Sequence, residues 1–299
     1  MAEITKIDSI GTSALENITG VTKYNDSSVY VSGKGARNTI ASYKMETSGK
    51  LYDGPNYISS MLGKDIRSLS TYKNFLVATL VDEFQVYLVD PIKNQTTNLK
   101  VWNPDTKTHE DIFGYIVDQI LSVTKKCTSV CFTLMEVLIV EHNVYFFVQS
   151  KCRHSKGHIL YVLEGSIVNT DLSGLSLSTK FTLQTFFNLY KNGRTAKLSR
   201  DESKKVMFGG VAHNGVDTFT ILLIYGECGS CGYLTKFNKY GQFDGMDTRL
   251  NIFLRSDNSG IFHLTNNPRG ITFLENNNYL VVTNNKENGL TKYFVVKIK

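Results

Sequence analysis

Residues 66–95 read IRSLSTYKN, FLVATLVDE, FQVYLVDPIKNQ, three short segments separated by turn residues. The middle segment is apolar almost throughout, and Lys73-Asn74 makes a hairpin turn in front of it. In the third segment Phe84, Val86 and Leu88 alternate with Gln85, Tyr87 and Val89, the two-residue period of a strand with two unlike faces. The unit is an antiparallel meander, and it recurs. ITGVTKYND, SVYVSGKG, TIASYKMETSGKL fills 18–51, and VLIVEHN, VYFFVQSK, HILYVLEGSIV fills 137–168. VMFGGVAHNG, TFTILLIYG, GYLTKFNKYGQF fills 206–243, and RGITFLENN, NYLVVTNNKE, LTKYFVVKIK fills 269–299. Each copy closes its first strand on turn residues: Asn25-Asp26, Lys73-Asn74, His142-Asn143, Asn214-Gly215 and Asn276-Asn277.

Measured at Val29, Phe75, Val144, Thr218 and Tyr279, the copies are 46, 69, 74 and 61 residues apart. A regular array of four-stranded units runs at roughly 40–50 residues per repeat, so the longer gaps hold insertions or worn copies. One insertion reads as a helix over about 108–124. There Ile112, Ile116 and Ile120, with Phe113, Val117 and Leu121, fall at i, i+4, i+8; Thr108 with Asp111 approximates a capping box, and Lys125-Lys126 suit the C-terminal end. The other gap, 171–203, contains SLSTKFTLQTFFNLYKNGRTAKLS, a candidate sixth copy. The last copy has three strands, and EITKIDSI near the N-terminus (about 3–10) is an alternating segment that would supply its fourth. Joining the two ends in one sheet removes exposed edges.

Across nearly its full length the chain resembles the β-propeller superfamily. SGKLYDG after Tyr43, KYGQFDG after Phe237 and RGITFLENNNYLVVTN resemble phrases of NHL-type and lactonase-like propellers. There is no Trp-Asp signature, no kelch double glycine and no Asp-box series; the single Trp102 lies in VWNPD. The expected fold is therefore all-β: a single domain over 1–299, a five- or six-bladed propeller with one inserted amphipathic helix. A β-sandwich array is the competing architecture.

The composition is that of an ordinary globular protein: 299 residues, 41% hydrophobic, 20% charged and a net charge of +6. That charge does not by itself imply nucleic-acid binding. No apolar run reaches the length of a membrane span, and the N-terminus lacks a signal-peptide core, so the expectation is a soluble intracellular protein, or a virion component. The Asn, Tyr and Lys bias associates with AT-rich genomes such as those of phages and large viruses. Five cysteines leave a disulfide framework incomplete, and Cys127 and Cys131 read as packing residues. The sequons at Asn17, Asn25 and Asn94 read as chance matches without a secretory signal.

The sharpest chemical pattern pairs two turns. Cys228-Gly-Ser-Cys231 resembles a zinc knuckle, and Cys152, His154 and His158 occupy the corresponding turn of the preceding copy. Zinc is the cofactor these five ligands would hold if the turns met; exposed thiols on separate loops are the plainer reading. His213, Asn214 and Arg269 sit where first strands would line a central channel. Asp53, Asp82, Glu83 and Asp217 supply carboxylates, without a spacing that selects a catalytic pair, and no Gly-x-Ser-x-Gly elbow, His-Glu-x-x-His or phosphate loop is present. Arg194, Lys197, Arg200, Lys204 and Lys205 form the densest basic stretch, read as a docking surface for an acidic partner or as a solvated loop. The leading expectation is a non-catalytic interaction or structural scaffold, a viral or phage assembly component, that binds a protein partner through a loop face. The alternatives are a propeller hydrolase (lactonase or glycosidase) working in the channel, and a carbohydrate-binding lectin.

Overall fold

The computed structural model describes all residues except 1, 12–14, 16, 35–38, 82–83, 125–129, 153–157, 170–174, 190–205, 226–230, 239–251, 254–267, 288–289 and 299. The described residues are mostly strand, in five sheets. Strand β1 (Ala2–Gly11) precedes the first sheet, which is β2 (Asn17–Asn25), β3 (Ser28–Lys34), β4 (Thr39–Met45) and β5 (Leu51–Ile58) in spatial order. The second is β6 (Ile66–Tyr72), β7 (Phe75–Leu80), β8 (Val86–Asp90) and β9 (Gln95–Asn98), again in order.

The third sheet is larger. Strands β10 (Lys100–Asn103) and β11 (Thr108–Glu110) lead into helix α1 (Ile112–Val123), followed by β12 (Val130–Val140), β13 (Asn143–Cys152), β14 (Ile159–Asn169) and β15 (Ser176–Asn188). Its order is β11-β10-β15-β14-β13-β12, with β10 parallel to β15. The fourth sheet is β16 (Met207–His213), β17 (Thr218–Tyr225), β18 (Cys231–Asn238) and β19 (Ile252–Phe253). The fifth holds β20 (Pro268–Phe273), β21 (Asn278–Glu287) and β22 (Leu290–Ile298), and β1 pairs antiparallel with β22 at its edge, from Ala2↔Ile298 to Gly11↔Leu290.

Two local expectations need correction. Ser176–Asn188, read as part of a sixth copy, is a single strand laid along β14. The helix starts at Ile112, and Thr108 pairs with Asn103 across β10 and β11, so no capping box forms and Asp111 caps without a side-chain hydrogen bond. The three-residue strand β11 outcompetes the extra helical turn because Asn103 Nδ2 donates to Glu110 Oε1 (2.8 Å) and the Tyr115 hydroxyl donates to Glu110 Oε2 (2.6 Å). The helical period itself holds: Ile112, Ile116 and Ile120 are buried, while Phe113 and Leu121 are exposed.

The core explains why second strands are continuously apolar. Each sheet buries both faces, and each of five hydrophobic clusters lies between two sheets. Ile40, Ile58 and Met61 of the first sheet and the segment after it pack on Leu69, Leu76 and Leu80 of the second. Val77 and Leu88 of the second meet Val144 and Phe146 of the third, with Ile116 of α1 in the same cluster. Tyr145 and Phe147 meet Phe208, Phe219 and Ile221 of the fourth. Leu222 and Leu234 meet Tyr279 and Val281 of the fifth. Leu280, Val282 and Tyr293 of the fifth then pack on Val29, Val31 and Tyr43 of the first. Neighbours along β13 and β17 thus serve opposite interfaces, which a run such as VYFFV or TILLI makes possible. Buried tyrosines also bridge sheets: Leu51 N donates to the Tyr293 hydroxyl (2.9 Å), and the Tyr43 hydroxyl donates to the Gly11 carbonyl (2.6 Å).

Candidate functional site: two cavities among the first strands

The first strands β2, β6, β12, β16 and β20 share one irregularity. Their pairing with the following strand slips between Ile18 and Gly20, Ile66 and Ser68, Leu134 and Glu136, Phe208 and Gly210, and Pro268 and Ile271. In the first four the slip leaves Thr19, Arg67, Met135 or Gly209 as an extra residue, a β-bulge that bends the strand and re-aims a side chain. In β20 it spans Arg269 and Gly270. Gly20, Ser68, Glu136, Gly210 and Gly270 therefore stand at one level.

At that level neighbouring strands meet. A Cβ on Gly20 would lie 2.8 Å from Leu69 N, and one on Gly270 would lie 2.8 Å from Val21 N. Between β6 and β12 the Ser70 hydroxyl donates to the Val137 carbonyl (2.6 Å). Strands β12 and β16 sit less closely together than the other neighbouring pairs. There a side chain spans the gap: Glu136 Oε2 accepts the Val211 N–H at 2.8 Å. Glu136 is buried, and desolvation raises its carboxyl well above the usual range, which favours its protonated form.

On one side of this level the five strand ends open into a cup of about 780 Å³. Several of its polar groups are engaged with one another, while the Tyr72 hydroxyl at its wall is buried without a hydrogen bond among the described residues. The Thr71 hydroxyl donates to the Lys23 carbonyl (2.9 Å), so in the Thr22–Thr71 pair (2.8 Å) Thr22 is the donor. The Lys23 N–H donates to Thr272 Oγ1 (3.0 Å), and the Lys23 ammonium holds Asp26 Oδ1 (2.7 Å). His213 Nδ1 accepts the Gly215 N–H (3.0 Å) and its ring lies 4.6 Å from Phe219. Burial pulls this imidazole down to about 4, against the opposing pull of Asp217 and Glu141. It is a neutral ring with its proton on Nε2, a donor rather than a base.

A pH effect follows. The folded value of about 4 lies below the ordinary 6.5, so the folded state binds fewer protons between them. The stability His213 lends is complete above pH ~6.5 and is lost as pH falls towards 4. Relative to His213→Gln, the parent should lose about 1–3 kcal/mol over that window, the upper end being reduced by solvent at the ring. Urea titrations at pH 7 and pH 4.5 measure it; parallel pH profiles for the two proteins would refute it.

On the other side of the level lies a smaller cavity of about 290 Å³, lined by Arg67, Arg269, Lys34 and Glu136 among others. Of the three residues read as channel-lining, His213 and Asn214 stand at the cup and Arg269 at this lower cavity. They do not converge: Arg269 aligns with Gly209, four residues and roughly 13 Å of strand before His213. Asn214 has a turn to hold, its Oδ1 accepting the N–H groups of Val216, Asp217 and Thr218 at 3.0 Å each. Asp53 pairs with Lys44, and Asp217 accepts from the Thr218 hydroxyl (2.9 Å).

Of the zinc candidates, His154 and Cys228 lie outside the described residues, while Cys152 ends β13 and Cys231 begins β18. His158 Nδ1 lies 3.1 Å from Gln149 Nε2. Among the described residues no three His, Cys, Asp or Glu side chains gather as a metal site. The basic stretch Arg194, Lys197, Arg200, Lys204 and Lys205, and Asp82 and Glu83, lie outside the described residues. Sequence reasoning passed over Glu136 and Arg67. Glu136 leaves a visible trace, a lone acid within the apolar VCFTLMEVLIV.

No protein-family model matches this sequence, and no curated protein is similar to it in sequence. Solved structures resemble it in three dimensions. U3-55K is 11% identical, with a TM-score of 0.43 over 98% of this chain and 99% of that one. A luciferin-regenerating enzyme is 9% identical, with a TM-score of 0.43 over 98% and 95%. A protein from Lactobacillus plantarum is 10% identical, with a TM-score of 0.40 over 94% and 81%. Among the described residues no helix is long and apolar enough to cross a membrane.

Proposed function

We propose that the five sheets are the blades of a closed five-bladed β-propeller, with β1 completing the last blade, and that the chain is a non-catalytic binding module holding a protein partner at the cup. Closure is supported by the packing of the fifth sheet back onto the first and by the common level of the five bulges. The binding role rests on the state of the cup: the Thr22 and Thr71 hydroxyls are committed to one another, Lys23 to Asp26, and the His213 lone pair to Gly215. Hydrolysis needs a base or nucleophile within reach of a second catalytic group. A rim at which these groups are already ordered instead lowers the cost of docking. The aligned mouth residues Lys23, Thr71, Ile139, His213 and Phe273 share no group, so nothing favours a lectin with repeated pockets.

A second reading, a propeller hydrolase, is favoured by Glu136, since a carboxyl whose protonated form is favoured by burial beside a cavity suits a general acid. One experiment separates the two. The full chain is assayed on aryl esters, lactones and aryl glycosides, and a photo-crosslinking residue is placed at Lys73 of the cup or at the exposed Ile92 as control. Binding predicts background turnover and a crosslinked partner from Lys73 alone. Turnover that disappears in Glu136→Gln would install the hydrolase, and equal crosslinking from both positions would remove the cup as the docking face.

A further inference from the structure

Arg67 and Arg269 stand at the same bulge level of β6 and β20, the two strands that flank β2. Both line the lower cavity, which is separate from the cup. A bulge turns its extra residue out of the ladder, and here it does so twice around one space. Arg269 is half-buried and makes no hydrogen bond or ion pair with any described residue. Desolvation, and then the like charge of Arg67, depress its guanidinium below its ordinary value. Of the acids nearby, Asp65 pairs with Lys34 (2.5 Å), and Glu136 Oε2 accepts the Val211 N–H in a buried setting that favours the neutral carboxyl. A half-buried cation that faces a second cation is stabilised when an opposite charge joins it.

We propose that the lower cavity binds a small oxyanion, a carboxylate, sulfate or phosphate group gripped between the Arg67 and Arg269 guanidiniums. Two guanidiniums offer planar pairs of N–H donors that match two oxygens of one such group. A space of about 290 Å³ takes an inorganic anion or a small organic acid, not a long chain.

The test is calorimetric titration of the full chain, in chloride buffer at constant ionic strength, with inorganic phosphate, sulfate or citrate. The expected result is saturable one-site binding of at least one of them. Phosphate or sulfate binding would point to an inorganic ion or a phosphate ester, and citrate alone to a small organic acid. Arg269→Met and Arg67→Met should each weaken binding at least tenfold, with Arg269→Lys between them and the parent. Absence of saturable binding for all three anions, or parental affinity in Arg269→Met, would overturn the assignment. Should Arg269→Met fail to fold, parental affinity in both Arg269→Lys and Arg67→Met overturns it equally.

Discussion

Gly270→Ala is expected to lower stability by roughly 2–6 kcal/mol. Two costs combine. Gly270 has a φ of +121°, a conformation costing about 1–3 kcal/mol for other residues. The added Cβ would also lie 2.8 Å from Val21 N and 3.0 Å from Gly20 Cα, both backbone atoms that no rotamer change can move. Overpacking of that kind adds about 1–3 kcal/mol. Gly114→Ala is the control: it sits on the open face of α1 with nothing within 4 Å of the new Cβ. It should stabilise by roughly 0.5–1 kcal/mol through helix propensity. Urea unfolding of both variants decides the matter. A Gly270→Ala protein within about 0.5 kcal/mol of the parent, the scatter of ordinary surface changes, would mean that β20 and β2 do not abut at this level.

Glu136 should separate into two opposite effects. In Glu136→Ala at pH 5 the Val211 N–H loses its partner and a cavity opens between β12 and β16, a loss of roughly 2–4 kcal/mol. Glu136→Gln keeps an acceptor for Val211 and cannot ionise. The sign follows from the raised folded value: above the unfolded carboxyl range the folded parent holds a proton that the unfolded chain has released, so parental stability falls as pH rises. The limit of that slope is about 1.4 kcal/mol per pH unit. Glu136→Gln should match the parent near pH 4 and exceed it at pH 7. A constant difference between them from pH 4 to pH 8 would show that Glu136 does not titrate on unfolding.

What could be read in advance was whatever neighbouring residues decide among themselves. Alternation at Phe84, Val86 and Leu88, the turn at Lys73-Asn74 and the i, i+4 series of Ile112, Ile116 and Ile120 are each contained within a few residues. The corresponding strands, hairpin and helix are present in the structure. The helix start was misplaced because β10, rather than any helical neighbour, captured Thr108. Ser176–Asn188 was misassigned because its partner β14 lies across a segment whose composition does not reveal it.

The sequence alone determined the strands, their turns and which runs had to be buried on both faces. Only the tertiary structure decided which first strands became neighbours. Whether Glu136 meets Val211, 75 residues on, depends on the spacing of β12 and β16. Whether Arg67 stands near Arg269 depends on β6 and β20 both flanking β2, which no local period encodes. A charge buried by partners from distant sheets leaves little trace in its own strand beyond being out of place there.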